Sequence, residues 1–369
     1  MKRLVMKGIC ALLLVVLAFQ AFAPIGQAKQ LNSNGQIASP EASIESGTYY
    51  KSQTVELQSS TPGVNIYYTL DGSTPSKDSY LYSAPITVTK DTTVKAIAIR
   101  GNANSKALEV NNGETISAVS SFTYTFTTKE AIASKFLSFT YNDMPYRLYV
   151  PENYDPSKSY PLVLFLHGGG ERGTDNEKQI LANDGAVIWA APENQAKNPA
   201  FVLAPQARNV HDGGFGITRD TNNIISLNRV FEFSQDLETA YNILQKVRNE
   251  YNIDSNRLYS TGLSQGGFGT FNLNIRYPDL FAAMVPIAGG GDPAQASKLV
   301  NKPIWAFHAV DDIIIPVSYS QNIVAAIQNA GGNPIYTEYP AELGYNHGSW
   351  VPAYENKEMI EWVFKQVKK

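Results

Sequence analysis

The chain of 369 residues contains a single cysteine, Cys10, close to its start. One cysteine closes no internal disulfide and builds no multi-thiolate metal site, so every domain must stand on its own packed core. Charge is sparse at 17% and nearly balanced, with 30 basic against 33 acidic residues. Without a basic excess the chain lacks the face that a phosphate backbone demands, and nucleic acid is excluded as a partner. Histidine is scarce as well, at four residues. The composition is otherwise that of a folded chain: 43% hydrophobic and 11% aromatic residues exclude intrinsic disorder. At roughly 100–200 residues per domain the length predicts two domains.

The one extended apolar run lies at residues 9–23, behind Lys2, Arg3 and Lys7, and no acidic residue precedes Glu41. A positive head, a short apolar middle and small residues at Gly26 and Ala28 have the layout of a secretory signal, with cleavage expected after Ala28. The alternative, an uncleaved membrane anchor, would need about 20 apolar residues, and Gln20 interrupts this shorter run. Cleavage removes Cys10 and three cations, deepening the net charge from −3 to −6. The expected product is extracellular and makes no membrane contact.

From about Pro40 to Thr128 the pattern is short, alternating and rich in β-branched residues and tyrosine. Residues 54–57, 64–68, 86–88, 93–99 and 119–126 alternate as half-buried strands do. Thr61-Pro62-Gly63 and Asp71-Gly72-Ser73-Thr74-Pro75 supply turns between them, and the spacing predicts an antiparallel β-sandwich. The run Tyr67-Tyr68-Thr69-Leu70-Asp71-Gly72-Ser73-Thr74-Pro75, with Tyr82, Pro85-Ile86 and Thr93-Val94-Lys95-Ala96-Ile97-Ala98, resembles the small sandwich appended to chitobiases and β-hexosaminidases. The resemblance implies an accessory immunoglobulin-like module. Tyr49, Tyr50, Tyr67, Tyr68, Tyr80 and Tyr82 are either a stacking platform for polysaccharide or strand residues with buried rings and wet hydroxyls.

After Lys129 the period changes. Tyr160–Leu166 and 200–204 are near-continuous apolar runs, as expected of strands covered on both faces. Ser234 is a candidate N-cap for a helix to Tyr251, with Asp236 and Glu238 in its first turn. A strand at 257–261, a helix at 265–276 and strands at 283–287 and 303–307 complete an alternation that predicts a mostly parallel sheet with helices on both faces.

Gly262-Leu263-Ser264-Gln265-Gly266 is a G-x-S-x-G motif set between an expected strand and an expected helix, where two glycines let a sharp turn close around an exposed serine. A serine hydroxyl needs an imidazole to take its proton, and the imidazole needs an acid to fix its tautomer. In this fold the chain order is serine, acid, histidine. His167 and His211 precede Ser264, and His308 ends a strand before the acids, leaving His347 as the base. Asp311 and Asp312 are both candidates for the acid, beyond a strand at the carboxyl end of the sheet. The glycines of Leu166-His167-Gly168-Gly169-Gly170-Glu171-Arg172-Gly173 let backbone N–H groups approach a developing oxyanion, and the expected donors are the amides of Gly169 and Gln265.

The stretch His308-Ala309-Val310-Asp311-Asp312-Ile313-Ile314-Ile315-Pro316 resembles the H-G-x-x-D-x-x-V-P segment of α/β-hydrolases and selects Asp312, leaving Asp311 as a flanking surface carboxylate. With Ala204-Pro205-Gln206, the serine turn with Gly267, and His347-Gly348-Ser349-Trp350, the chain from about Ser138 onward resembles exported α/β-hydrolases of the phospholipase/carboxylesterase-like, "predicted peptidase" type. Ala309 stands where that pattern usually has glycine. The resemblance implies esterase or feruloyl-esterase-like chemistry more often than proteolysis, with no metal or cofactor.

The short, glycine-rich segment between 287 and 303 leaves no room for an apolar lid, which disfavours long-chain lipid. About 90 residues of sandwich cannot form the propeller that a prolyl-oligopeptidase type would require. Residues 206–228 form the candidate specificity loop, polar and mobile enough to line an open cleft, or else a plain surface loop. The expected organisation is a leader at 1–28, a linker at 29–39, a sandwich at 40–128 and an α/β-hydrolase at 129–369. The expected substrate is a small-molecule or polymer-borne ester, with polysaccharide contact by the front module. The competing readings are a serine peptidase of the same fold and a polysaccharide-binding protein with an inactive hydrolase domain.

Overall fold

The computed structural model describes residues 37–100, 116–222 and 224–368. The leader expected at 1–28 lies outside them, as does most of the linker. The chain forms two compact units: described parts of Met1–Ser43 and Lys95–Ser121 with Leu57–Ala84, and Ile44–Glu56 with Pro85–Val94 and Phe122–Lys369.

In the first unit, Val64–Thr69 pairs antiparallel with the last residues of Thr92–Arg100 and with Tyr80–Leu81. Tyr67, Ile97 and Ile99 are buried together. Tyr68 lies 5.5 Å from Tyr80 and 6.4 Å from Tyr82, and Tyr80 is 64% exposed. The six tyrosines therefore do not share one role. Tyr67 is core; Tyr49, in the second unit, is buried against Tyr124 and donates its hydroxyl to the Glu45 carbonyl. Tyr50 donates to Asp184. One departure from an all-antiparallel sandwich is the parallel pairing of Gly47–Tyr49 with 124–126.

The second unit is built on an eight-stranded sheet. Its strands are β1 (Leu137–Tyr141), β2 (Met144–Tyr149), β3 (Tyr160–Leu166), β4 (Phe201–Pro205), β5 (Ile253–Leu263), β6 (Ala283–Ile287), β7 (Trp305–Ala309) and β8 (Ile335–Tyr339). Their spatial order is β1-β2-β4-β3-β5-β6-β7-β8. The β1–β2 and β2–β4 pairs are antiparallel and the rest parallel. Alternate residues of β3 feed two separate cores: Val163 and Phe165 pack with Val202, Tyr259 and Val285, whereas Leu162, Leu164 and Leu166 pack with Leu203, Leu237 and Leu244. Burial on both faces is what makes these strands read as unbroken apolar runs.

Helix α1 (Gln235–Glu250) starts where its cap predicts. The Ser234 hydroxyl accepts from Leu237 N–H at 3.0 Å and donates to the Gly214 carbonyl at 2.6 Å. Such a cap contributes about 1 kcal/mol. Asp236 in the first turn is fully buried and holds Arg208 Nε and the Gly214 N–H. Helix α2 (Gln265–Arg276) buries residues 265–274 without a break, Phe268 and Phe271 completely. At roughly 1.5–3 kcal/mol for each such side chain, α2 is anchored firmly behind the serine turn. Strand β7 begins at Trp305, two residues later than the pattern suggests. Pro303 has no N–H to give a ladder, and Ile304 makes only an isolated bridge to Met284. The shift places His308 inside the strand, fully buried.

Residues 206–228 are not the mobile polar loop expected. Residues 213–218 are buried, and a hairpin of Ile217–Arg219 with Ile225–Arg229 follows. The packing is intimate: a side chain at Gly214, whose φ is +114°, would meet Gln265 Oε1 at 2.1 Å.

Candidate active site

Ser264 occupies the turn from β5 into α2 at φ +53°, ψ −118°, a left-handed conformation that non-glycine residues adopt only under constraint from their surroundings. The constraint is close backbone packing. A Cβ at Gly262 would lie 2.3 Å from the Gly266 carbonyl oxygen, and one at Gly266 would lie 1.9 Å from the Leu166 carbonyl oxygen. Glycine is thus required on both sides of the serine so that the end of β3 can pass against the turn.

The Ser264 hydroxyl donates to His347 Nε2 at 2.9 Å, and His347 Nδ1–H donates to Asp312 Oδ2 at 2.7 Å. His347 is carried by the loop after β8 and braced by the Trp350 ring, which meets it edge-on at 5.1 Å. Asp312 follows β7. Its side chain is fully buried, and its Oδ1 accepts the N–H groups of Ile314 and Ile315, each at 2.9 Å. Burial alone would raise the carboxyl. Hydrogen bonds from His308, His347 and Ile315 N–H outweigh it and hold Asp312 well below the usual carboxylate range.

Asp311 is not the surface carboxylate expected: it is half-buried, and its Oδ2 accepts the Asn346 N–H at 3.0 Å. Asn346 in turn accepts the His347 N–H at 2.8 Å, so Asp311 steadies the loop that carries His347.

Gly169 and Gln265 lie on the two segments that meet at the serine. A Cβ on neighbouring Gly168 would sit 2.8 Å from Leu263 Cδ1 and 3.5 Å from Ser264 Cβ. Gly169 opens a short 3-10 turn, Gly169–Glu171, and faces open space. No intramolecular hydrogen bond from its N–H, or from that of Gln265, is made among the described residues. The Gln265 side chain is held by Thr218 Oγ1 at 2.9 Å.

The remaining histidines divide by environment. His211 is exposed beside Asp212. His167 is fully buried, donates from Nδ1 to the Gly168 carbonyl and accepts the Ala207 N–H at Nε2, so its ring is neutral. Burial, with a smaller push from Arg172, drives its pKa down to about 4. His308 touches Asp312, with Nε2 3.2 Å from Oδ2. Elimination by chain order sets this residue aside; its signal was a histidine four positions before the acid, on a strand running toward the site. Glu171 also escaped notice. Its carboxyl is buried beside Gly168 and raised by desolvation. Among the described residues no group of three or more His, Cys, Asp or Glu is placed to hold a metal ion, and no helix is long and apolar enough to cross a membrane.

The family model "Chitobiase/beta-hexosaminidase C-terminal domain" matches residues 44–118, and the model "Putative esterase" matches residues 138–323, half of the chain. The crystal structure of a thermostable esterase superposes with a TM-score of 0.60 at 33% identity, covering 92% of each chain. "Feruloyl esterase C" of Emericella nidulans is 24% identical over 203 residues, which is 54% of this chain and 67% of the relative. "Endo-1,4-beta-xylanase Y" of Acetivibrio thermocellus is 28% identical over 170 residues, 42% of this chain but only 14% of that much longer protein. The chain belongs to the esterase family: it is a carboxylic-ester hydrolase of the α/β-hydrolase fold, preceded by a chitobiase/hexosaminidase C-terminal-type domain.

Proposed function

We propose that the chain is an exported serine esterase that cleaves polymer-borne carboxylic esters, of feruloyl or short acyl type, through an acyl-enzyme. The observation that carries this reading is the continuous relay from Ser264 Oγ through His347 to Asp312, with the serine held in a strained turn at the carboxyl ends of the parallel strands. Ser264 Oγ attacks the ester carbonyl while His347 Nε2 takes its proton. The same proton passes to the departing alkoxide as the acyl-enzyme forms. Water, deprotonated by His347, then releases the acid and restores the serine. Asp312 keeps His347 in the tautomer that presents a lone pair to Ser264 and stabilises its charged form. The amides of Gly169 and Gln265 face the developing oxyanion, a role that both free N–H groups suit.

The feruloyl and polymer-borne part of the reading comes from the named relatives, a feruloyl esterase and a xylanase. The exposed Tyr80, with half-buried Tyr68 and Tyr82 beside it, is the candidate carbohydrate contact of the front module. Export rests on the leader at 1–28, and the proposed boundaries remain 40–128 for the module and 129–369 for the hydrolase.

The test is a panel of acetyl, butyryl, feruloyl and peptide substrates with the full chain and with Ser264→Ala. The expected result is ester cleavage without peptide cleavage, and a loss on the order of 10⁴-fold or more in the variant at unchanged thermal stability. Substantial residual turnover in Ser264→Ala would refute the nucleophile. Peptide cleavage would favour the peptidase reading.

A further inference from the structure

The groups around His308 present acceptors at both ring nitrogens, more than the single N–H of a neutral histidine can serve. The Ser320 hydroxyl has one proton, and it is directed to the Gly289 carbonyl at 2.7 Å. The contact of 2.8 Å between Ser320 Oγ and His308 Nδ1 is therefore one in which Nδ1–H donates. On the far side of the ring, Nε2 faces the Ile315 carbonyl at 3.0 Å and Asp312 Oδ2 at 3.2 Å, and neither has a proton to give. A bare Nε2 lone pair would be opposed there by two acceptors in a site with no solvent access, an arrangement that buried polar groups avoid. Each ring nitrogen thus faces only groups placed to accept from it. His167, buried to the same degree, shows the contrast, because its Nε2 receives a backbone N–H.

We propose that His308 is a buried imidazolium that acts as the positioning residue of the relay, clamping Asp312 so that a single carboxylate oxygen serves both histidines. Asp312 Oδ2 then takes Nδ1–H of His347 and Nε2–H of His308, while Oδ1 takes two backbone amides. Every direction in which the carboxylate could rotate is occupied, so the His347 ring is held in the orientation that serves Ser264. The charges of Asp312 and His308 largely cancel, so His347 works beside a nearly neutral pair and not beside a bare buried anion. The other ionisable neighbours are engaged elsewhere. Glu338, the cross-strand partner of His308 on β8, is bonded to Gln321 and Tyr336, and Asp311 faces the Asn346 N–H. Tyr319, next to Ser320 on the helix Ser318–Asn329, packs edge-on against Phe268.

This inference deepens the proposed relay and rests on it for its catalytic consequence, but the protonation state can be measured without any turnover. With four histidines in the chain, ¹⁵N-histidine labelling of the full protein gives a spectrum that can be assigned by single substitutions. At neutral pH the His308 ring is expected to show two protonated nitrogens, and His167 only one. A His308 ring with one bare nitrogen overturns the proposal, even if His308→Gln fails to fold. If His308→Gln does fold, kcat on p-nitrophenyl acetate is expected to fall about 10²-fold with KM little changed, as for a misplaced catalytic group. The acid limb of kcat/KM is expected to move to higher pH, because the uncompensated Asp312 charge makes His347 hold a proton more tightly. A folded His308→Gln with wild-type kcat and pH profile also overturns it. Residual activity in Ser264→Ala would instead defeat the relay itself and leave the spectrum of His308 unaffected.

Discussion

The two sides of the site are built from different physics. On the serine side, Gly262 to Gly267 and the end of β3 meet backbone to backbone, with no room for a methyl group at either Gly262 or Gly266. On the acid and base side, the loops after β7 and β8 are held by hydrogen bonds converging on Asp312, Asp311 and Asn346. The first is a steric construction and the second a polar one. Damage to the first should cost the fold, whereas damage to the second should cost the rate and leave the fold standing.

The largest expected effect is on the polar side. Asp312→Asn keeps the shape but no longer secures the His347 tautomer and leaves the buried His308 without its counter-charge, so kcat should drop on the order of 10⁴-fold and the melting temperature should fall while the native fold is retained. Asp311→Asn can still accept the Asn346 N–H and should lose less than about 10-fold, since only loop positioning is affected. Parallel kinetics on the two variants decide the point, and the reverse order would move the acid to Asp311. Next comes Gly266→Ala, which forces a methyl against the Leu166 carbonyl. It should lower unfolding free energy by about 3 kcal/mol or more in a denaturant titration. A near-native midpoint would show that the turn is softer than its packing implies.

His167 sits between the two constructions and predicts a pH dependence. Its folded pKa is about 4, while an unfolded chain takes up the same proton near 6.5. Stability from this group is complete above the unfolded value, declines as pH falls toward 4 and changes no further below it. The total is on the order of 3 kcal/mol. Melts across that interval, compared with His167→Asn, should show the slope in wild type and its reduction in the variant. The smallest effect belongs to Gly169→Ala, where the new methyl meets open space. Stability should stay within about 0.5 kcal/mol, with the N–H still available. A large loss there would mean that the loop closes more tightly on the serine than the geometry indicates.

Local patterns carried far in this chain. The cap at Ser234, the apolar run of β3 and the helix opening at Gln265 depend on near neighbours and on burial of both sheet faces, so they were legible as periodicity. Ser264 and His347 could be named as candidates because chain order in this fold is restrictive and histidine is scarce, whereas the choice of Asp312 over Asp311 rested on the resemblance of residues 308–316 to the α/β-hydrolase segment. Residues 206–228 misled the reading. Asparagines and glycines suggest a mobile loop, but Gly214 is there because Gln265 packs where its side chain would be. Asp311 misled in a similar way, since its partner Asn346 lies 35 positions along the chain.

What the sequence determined by itself was the alternation of strands and helices and the tight glycine-flanked turn that carries Ser264. These follow from local steric and hydrophobic rules. The tertiary structure decided which carboxylate faces His347 and which buried histidine receives a backbone amide. It also decided which glycines are indispensable. Those outcomes depend on what lies across a gap of a few ångströms from a distant part of the chain. His167 and His308 make the point most directly: one follows β3 and the other lies near the end of β7, both are buried, and only the atoms facing their ring nitrogens distinguish a neutral ring that receives an amide from one that gives both its protons away.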